Sequence, residues 1–98
     1  MVDVNRINIV LVDDHEVVRK GLSAYLDMTN EIRIVGEASN GEEAVDVCIR
    51  KKPDVILIDI TMPKMDGIEV TRIIHSEFPF IRIIGLSIHD KQDQAASS

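Results

Sequence analysis

The chain has 98 residues, with 17 acidic and 11 basic side chains and a formal net charge of −6. This length allows one small domain, and the negative charge makes nucleic acid and anionic membranes poor partners for this chain alone. Hydrophobic residues form 45% of the sequence, too many for a disordered tail, yet no apolar run approaches the roughly 20 residues of a membrane span. The single cysteine, Cys48, cannot form an internal disulfide, so we expect a reducing, cytoplasmic location.

Four short apolar runs, rich in isoleucine and valine, predict β-strands because β-branched side chains suit extended backbone. They span residues 7–12, 32–35, 55–60 and 81–86. Polar residues do not alternate with apolar ones inside these runs, so we expect strands covered on both faces by helices, as in a parallel sheet. Each run is too short for a buried helix.

Three segments place apolar residues at steps of three and four, the spacing of an amphipathic helix. One segment lies in each interval between strands, at residues 17–26, 44–49 and 68–78. The alternation of strands and helices predicts a doubly wound α/β fold with a parallel sheet. In such sheets ligands bind at the carboxyl ends of the strands, near the point where the strand order reverses.

The ends of the second and third helices carry sequence signals of their own. A short polar residue followed three positions later by glutamate predicts each start, namely Asn40 with Glu43 and Asp66 with Glu69. A proline follows each of these helices, where a helix cannot readily continue, namely Pro53 and Pro79.

Polar residues stand at the carboxyl ends of three predicted strands. Asp13 and Asp14 follow the first strand, Asp59 lies near the end of the third, and Ser87 closes the fourth. Taken singly, either Asp13 or Asp14 also suits a turn or a helix cap, and Ser87 also suits an ordinary strand end. Asp59 is different, because it interrupts an apolar run in which an unpaired carboxylate is costly.

Three converging carboxylates would repel one another unless a cation lay between them. Their hard oxygen atoms favour Mg²⁺ or Mn²⁺ over Zn²⁺, and Mg²⁺ sites of this kind are typical of phosphate chemistry. A carboxylate can itself attack phosphorus and form an aspartyl phosphate. We expect Asp59 to do so, from a rigid strand end beside the metal and with access to water.

Three stretches of the sequence resemble the receiver domain of bacterial two-component response regulators. They are VLVDDH at 10–15, DVILID at 54–59 and MPKMDG at 62–67, with further likeness at 36–44 and 84–87. The resemblance covers residues 7 to about 90, and residues 13–15 and 86–90 are similar to the subfamily with a helix-turn-helix output domain. It implies a flavodoxin-like fold with the strand order 2-1-3-4.

The resemblance also implies roles for the acidic residues. Asp59 would accept a phosphoryl group from a histidine kinase or a histidine phosphotransfer protein. Mg²⁺ would be held by Asp13, Asp14, Asp59 and the backbone carbonyl of Thr61, with Asp13 acting partly through water. The chain would thus serve as a signalling component and not as an enzyme.

Further residues would surround the phosphoryl group. Ser87 would be the switch hydroxyl that moves toward it. Thr61 and His89 would flank the site and tune the rate at which water removes the phosphate. His15 is expected to cap or flank the metal site, although a lone histidine after two aspartates is weak evidence for ligation.

The 98 residues depart from the family in one respect, because its fifth strand, which ends in a lysine, and its fifth helix are missing. Neither Lys52 nor Lys91 takes the place of that lysine. We therefore expect a truncated receiver over 1–98, with an N-terminal tail at 1–6 and a polar end at 90–98 that begins a fourth helix or frays. The fourth strand would then be an apolar edge, so we expect self-association or marginal stability.

Two other functions remain open at this stage. One is a phosphohydrolase with an aspartyl nucleophile, although that class has a second acid two residues after the nucleophile, where this chain has Thr61. The other is an interaction module that works without phosphorylation. The complete set of acids argues against this module, and the missing lysine argues for it.

Overall fold

The computed structural model describes residues 6–59 and 67–86. In chain order its elements are β1 (Ile7–Val12), α1 (Glu16–Asp27), β2 (Ile32–Ala38), α2 (Gly41–Lys51), β3 (Val55–Asp59), α3 (Gly67–Glu77) and β4 (Arg82–Leu86). The four strands form one parallel sheet in the order β2-β1-β3-β4. The predicted fold class and strand order are therefore confirmed.

The core lies mainly between the sheet and helices α2 and α3. Right-handed crossovers in this strand order place α1 on one face of the sheet and α2 and α3 on the other. The α2–α3 side buries a continuous cluster in which alternate residues of β1 and β3 meet both helices; its strand members include Val10, Val12, Ile56 and Ile58. This central strand pair fixes where the carboxyl ends of β1 and β3 lie.

Strand β2 is longer than predicted, because it continues past Val35 through Gly36 to Ala38. The register shifts here, since Ile9 pairs with Ile34 and Val10 pairs with Gly36. A Cβ atom on Gly36 would lie only 2.7 Å from Cγ1 of Val47 in α2. The glycine that ended the apolar run in the sequence is therefore the residue that lets α2 pack closely on the strand.

Helix α2 begins with the predicted capping residues in a slightly altered arrangement. The Asn40 side chain accepts a hydrogen bond of 2.9 Å from the Glu43 amide. The Glu43 carboxylate accepts from the amide and the hydroxyl of Ser39, at 2.8 and 3.0 Å. These two hydrogen bonds hold the pKa of Glu43 below its usual value. The partner of Glu43 is thus one residue earlier than in the standard capping box.

The other helix boundaries agree with the sequence signals to differing extents. Helix α2 ends before Lys52, which has a left-handed backbone (φ 47°) and donates from its amide to the Cys48 carbonyl at 2.9 Å, and Pro53 follows. For α3, the proposed cap Asp66 lies outside the described residues. Its proposed partner Glu69 contacts Arg72 at 3.1 Å.

Cys48 is fully buried, and this burial raises the pKa of its thiol to about 11.

Strands β2 and β4, at the two edges of the described sheet, are only partly covered, so the prediction that all strands are buried on both faces is wrong for both. In β4, Ile84 is 47% exposed. Ile83 packs against the core cluster on the other face. The expected self-association through this strand remains a prediction.

None of the described helices is long and apolar enough to span a bilayer.

Candidate metal centre

Side chains from two neighbouring strand ends meet in one cluster. Val12 of β1 pairs with Ile58 of β3, so the residues that follow, Asp13 and Asp59, come side by side. Ligand atoms of Asp13, Asp14, His15 and Asp59 all lie within 4.8 Å of one another. The predicted convergence of the three carboxylates is thus present, and His15 belongs to the same cluster.

Asp13 is held firmly by the backbone around it. Its amide donates a hydrogen bond of 3.0 Å to the Ala38 carbonyl, which continues the pairing of β1 with β2. Its side chain is 4% exposed, and Oδ1 accepts a hydrogen bond of 2.8 Å from the His15 amide. This short turn reverses the chain at the end of β1 and brings the His15 ring over the carboxylates.

Asp14 supplies an oxygen atom suited to a cation. Its Oδ1 is buried and makes no hydrogen bond with the described residues. His15 Nδ1 lies 3.0 Å from this oxygen, but the contact does not have hydrogen-bond geometry. A buried carboxylate oxygen without a hydrogen bond is costly, and a divalent cation bound between Asp13, Asp14 and Asp59 would offset that cost.

Asp59 is the last residue of β3 and is 2% exposed. We expected this carboxylate to be open to water, so the described structure is more closed at this position than the sequence suggested. Burial follows from its place on a central strand, since β1 and β4 both pair with β3. The side chain nevertheless lies in the acidic cluster and not in the aliphatic interior.

One residue that supports the cluster, Arg19, has no distinctive sequence signal. Arg19 of α1 donates from Nη1 to the Asp13 carbonyl at 2.8 Å and from Nε to Glu37 of β2 at 3.1 Å. Its side chain is only 17% exposed. Arg19 therefore ties the β1–α1 connection to β2. In the sequence it is simply one charged residue of an amphipathic helix.

Several predicted site residues lie outside the described residues. They are Thr61, Ser87 and His89. Their roles as a metal ligand through the backbone carbonyl, a switch hydroxyl and flanking groups therefore remain predictions.

Comparison with known proteins points to one family. The family model described as the response regulator receiver domain matches residues 9–98. The chain is 42% identical over 91 residues to the transcriptional regulatory protein DegU of Brevibacillus brevis, covering 93% of this chain and 39% of that protein. It is 43% identical over 88 residues to the response regulator protein VraR of Staphylococcus aureus, covering 88% of this chain and 42% of the relative.

Solved structures agree with the sequence relatives. A crystal structure of a LuxR-family two-component response regulator from an Aurantimonas species is similar with a TM-score of 0.80 and 32% identity. That match covers 93% of this chain and 65% of the other. The chain spans less than half the length of DegU and VraR, at 39% and 42%.

Proposed function

Because the chain belongs to the response regulator receiver family of two-component systems, we propose that Asp59 accepts a phosphoryl group from a phosphohistidine donor. The donor is a histidine kinase or a histidine phosphotransfer protein. The observation that carries the proposal is the convergence of Asp13, Asp14 and Asp59 within 4.8 Å at the ends of β1 and β3.

Phosphoryl transfer depends more on positioning and charge neutralisation than on acid–base groups. A carboxylate oxygen of Asp59 attacks the phosphorus atom, the bond from phosphorus to the histidine nitrogen breaks, and an acyl phosphate forms. Residues 9–12 of β1 pair with residues 55–58 of β3, and this pairing holds the Asp59 carboxylate beside Asp13 and Asp14. This rigidity keeps the reacting groups in place without a separate general base.

Asp13, Asp14 and Asp59 are the residues that would hold Mg²⁺, together with the Thr61 carbonyl. The all-oxygen carboxylate set and the buried Asp14 oxygen without a hydrogen bond support this assignment. The ion would neutralise negative charge on the carboxylates and on the incoming phosphoryl group. Ser87 would then hydrogen-bond a phosphoryl oxygen, and Thr61 and His89 would flank it.

The remaining parts of the proposal concern the whole protein. DegU is a transcriptional regulator, so we propose that a DNA-binding output region accompanies this receiver in the full-length protein. The receiver itself comprises 1–98, with 1–6 as a tail and 90–98 as a polar end. The cytoplasmic location remains a prediction that follows from the single cysteine and from the family.

The test is chemical labelling with acetyl phosphate, followed by intact-mass spectrometry. We expect one phosphoryl group per chain in the presence of Mg²⁺ and none after Asp59→Asn. Asp27→Asn, an exposed change at the end of α1, is the matched control and should label normally. Hydroxylamine should remove the label, because it cleaves acyl phosphates and leaves serine and threonine esters intact.

Other outcomes would support the alternatives. Repeated release of phosphate from a phosphomonoester, lost with Asp59→Asn, would indicate a phosphohydrolase. Binding of Mg²⁺ without labelling by acetyl phosphate or beryllofluoride would indicate a module that works without phosphorylation. Labelling that persists in Asp59→Asn would contradict the assignment of the acceptor.

A further inference from the structure

Helix α2 carries a second face besides the one that it buries against the sheet. This face consists of Glu42, Val45, Ile49 and the following Lys52. The four residues follow one another at steps of three, four and three, which is the spacing of the seam residues in a coiled coil. Val45 is partly buried and packs against the core cluster, whereas Ile49 is 53% exposed. The spacing and the exposed isoleucine suit contact with a second helix.

A cavity of about 330 Å³ opens between α2 and α3, next to this face. Its wall is mainly apolar and includes Val45 of α2 and Val70 and Ile73 of α3. Gly41 also lines the cavity and has no side chain to fill it. Ile73 is 38% exposed, so the apolar wall is in contact with water. The volume and the lining suit a branched apolar side chain that enters from outside.

The charges along α2 are divided between its two ends. Glu42 and Glu43 lie in the first turn, Arg50 and Lys51 lie in the last turn, and the exposed Lys52 follows. This distribution also suits the helix dipole, so the charges alone do not indicate a partner. Opposite charges nevertheless meet when two copies of the helix lie antiparallel, and a twofold axis across the helix produces that arrangement.

The seam residues are symmetric about one position of the helix. Glu42 and Lys52 are each five positions from Val47, and Val45 and Ile49 are each two positions from it. A twofold axis level with Val47 therefore places Glu42 of each copy opposite Lys52 of the other. The same axis places Ile49 of each copy beside Val45 of the other. Because Val45 lines the cavity, each Ile49 then enters the cavity of the opposite copy.

We propose that this face of α2, with Val70 and Ile73 of α3, binds a second copy of the chain in an antiparallel twofold dimer. The net charge of −6 on each chain opposes association, and one pair of short helices buries less area than a standard interface of about 1,600 Å². We therefore expect a weak dimer with a dissociation constant of about 0.1–1 mM. The surface uses no residue of the acidic cluster or of β4, and the proposal does not depend on phosphorylation of Asp59.

Sedimentation equilibrium of the 98-residue chain, at concentrations up to about 1 mM, tests the apolar contact. Ile49→Ala should raise the dissociation constant by about tenfold or more, because each substitution removes two buried side chains from the dimer. Ile84→Ala is the matched control, since Ile84 is a similarly exposed isoleucine on β4, and it should change the constant by less than about twofold. Circular dichroism should show that both variants are folded.

Charge exchange tests the antiparallel register with surface changes that leave the core intact. Glu42→Lys and Lys52→Glu each place like charges opposite each other and should raise the dissociation constant by about fivefold or more. The chain that carries both changes should return to within about twofold of the unaltered value. Glu16→Lys and Lys20→Glu on α1 alter the net charge by the same amounts and should have smaller effects.

A zero-length carbodiimide crosslink reports the register directly. Within one copy Glu42 and Lys52 are separated by a helical rise of about 15 Å, too far for a direct amide bond. In a mixture of isotopically light and heavy chains, the crosslinked peptide of Glu42 and Lys52 should therefore join light to heavy. Glu16 and Lys20, which lie 3.7 Å apart in one chain, should crosslink within each copy and serve as the positive control.

The contrary results are specific to each part of the proposal. A chain that stays monomeric at about 1 mM overturns the dimer. Association that is weakened by Ile84→Ala and not by Ile49→Ala places the contact on β4 and also overturns it. A doubly exchanged chain that associates no better than Glu42→Lys alone refutes the antiparallel register.

Discussion

Helices α1 and α2 have similar lengths and similar amphipathic sequences, yet they are held by different forces. Helix α2 buries four residues, Gly41, Ala44, Val47 and Cys48, against the sheet. Helix α1 has no buried residue, and its apolar Val17 and Tyr25 are 83% and 69% exposed. An amphipathic pattern therefore predicts a helix without predicting how much of its apolar face is covered.

The polar ends of the two helices also differ. Helix α2 begins with a side-chain cap from Asn40. The first turns of α1 are joined to the acidic cluster instead, through the ring of His15 and the guanidinium of Arg19. Packing thus contributes more to α2, whereas α1 also depends on polar contacts around the candidate metal centre. Changes in α2 should mainly alter stability, and changes at the start of α1 should mainly alter the site.

The largest effect on the free energy of unfolding is expected from Gly36→Ala, which disturbs the packing of α2 on β2. The added methyl group would lie 2.7 Å from Val47 Cγ1, so packing must shift, at a cost of about 1–3 kcal/mol in the free energy of unfolding. Urea denaturation measures this change. Gly21→Ala in α1 is the control, because nothing lies within 4 Å of its Cβ position, and it should stabilise by about 0.5–1 kcal/mol.

A double-mutant cycle identifies the cause. Val47→Ala removes the obstructing methyl group, so Gly36→Ala should cost less in that background than in the unaltered chain. Equal costs in the two backgrounds would show that the close approach of Gly36 to Val47 does not determine the effect.

Arg19→Met tests the polar attachment of α1. The change keeps the apolar stem but removes hydrogen bonds to Asp13 and Glu37, and we expect a loss of about 1–2 kcal/mol. Mg²⁺ affinity, measured by calorimetry, should also fall, since the Asp13 backbone is less firmly held. Lys20→Met removes an exposed contact of 3.7 Å to Glu16 and should cost less than about 0.5 kcal/mol. Equal effects from both variants would contradict this role.

The two helix starts can be compared directly by replacing their N-cap residues. Asn40→Ala removes the hydrogen bond to the Glu43 amide and should lower the free energy of unfolding by about 1 kcal/mol. His15→Ala removes no capping bond but breaks the 3.1 Å hydrogen bond between its ring and the buried Asp13 carboxylate, so without divalent metal it should also cost about 1 kcal/mol. A negligible loss from His15→Ala would show that its ring does not help to hold α1 at the acidic cluster.

The smallest effect concerns pH. Hydrogen bonds from Ser39 lower the pKa of Glu43 in the folded chain, so its contribution to stability is present above the unfolded value and is lost as the pH falls through the folded value. Urea midpoints should therefore decline less steeply with acidification in Glu43→Gln than in the unaltered chain. Parallel profiles would indicate that these hydrogen bonds do not persist in solution.

The sequence determined the parts of the structure that depend on local pattern. Apolar runs and helical spacing predicted all seven elements of the described residues, because strand and helix periods differ and each apolar run is too short for a buried helix. The strand ends placed Asp13, Asp14 and Asp59 at one edge, since crossovers through helices make strands parallel. The extent of β2 was underestimated because Gly36 and Glu37 interrupt its apolar run.

Only the tertiary structure decided what depends on contacts between distant residues. It joined Arg19 to Glu37 of β2 and left α1 and Ile84 partly exposed. These features depend on which surfaces meet after the sheet has formed. Hydrophobic pattern and turn signals act over a few neighbouring residues, so they predict the elements and their order but not the partners of each side chain.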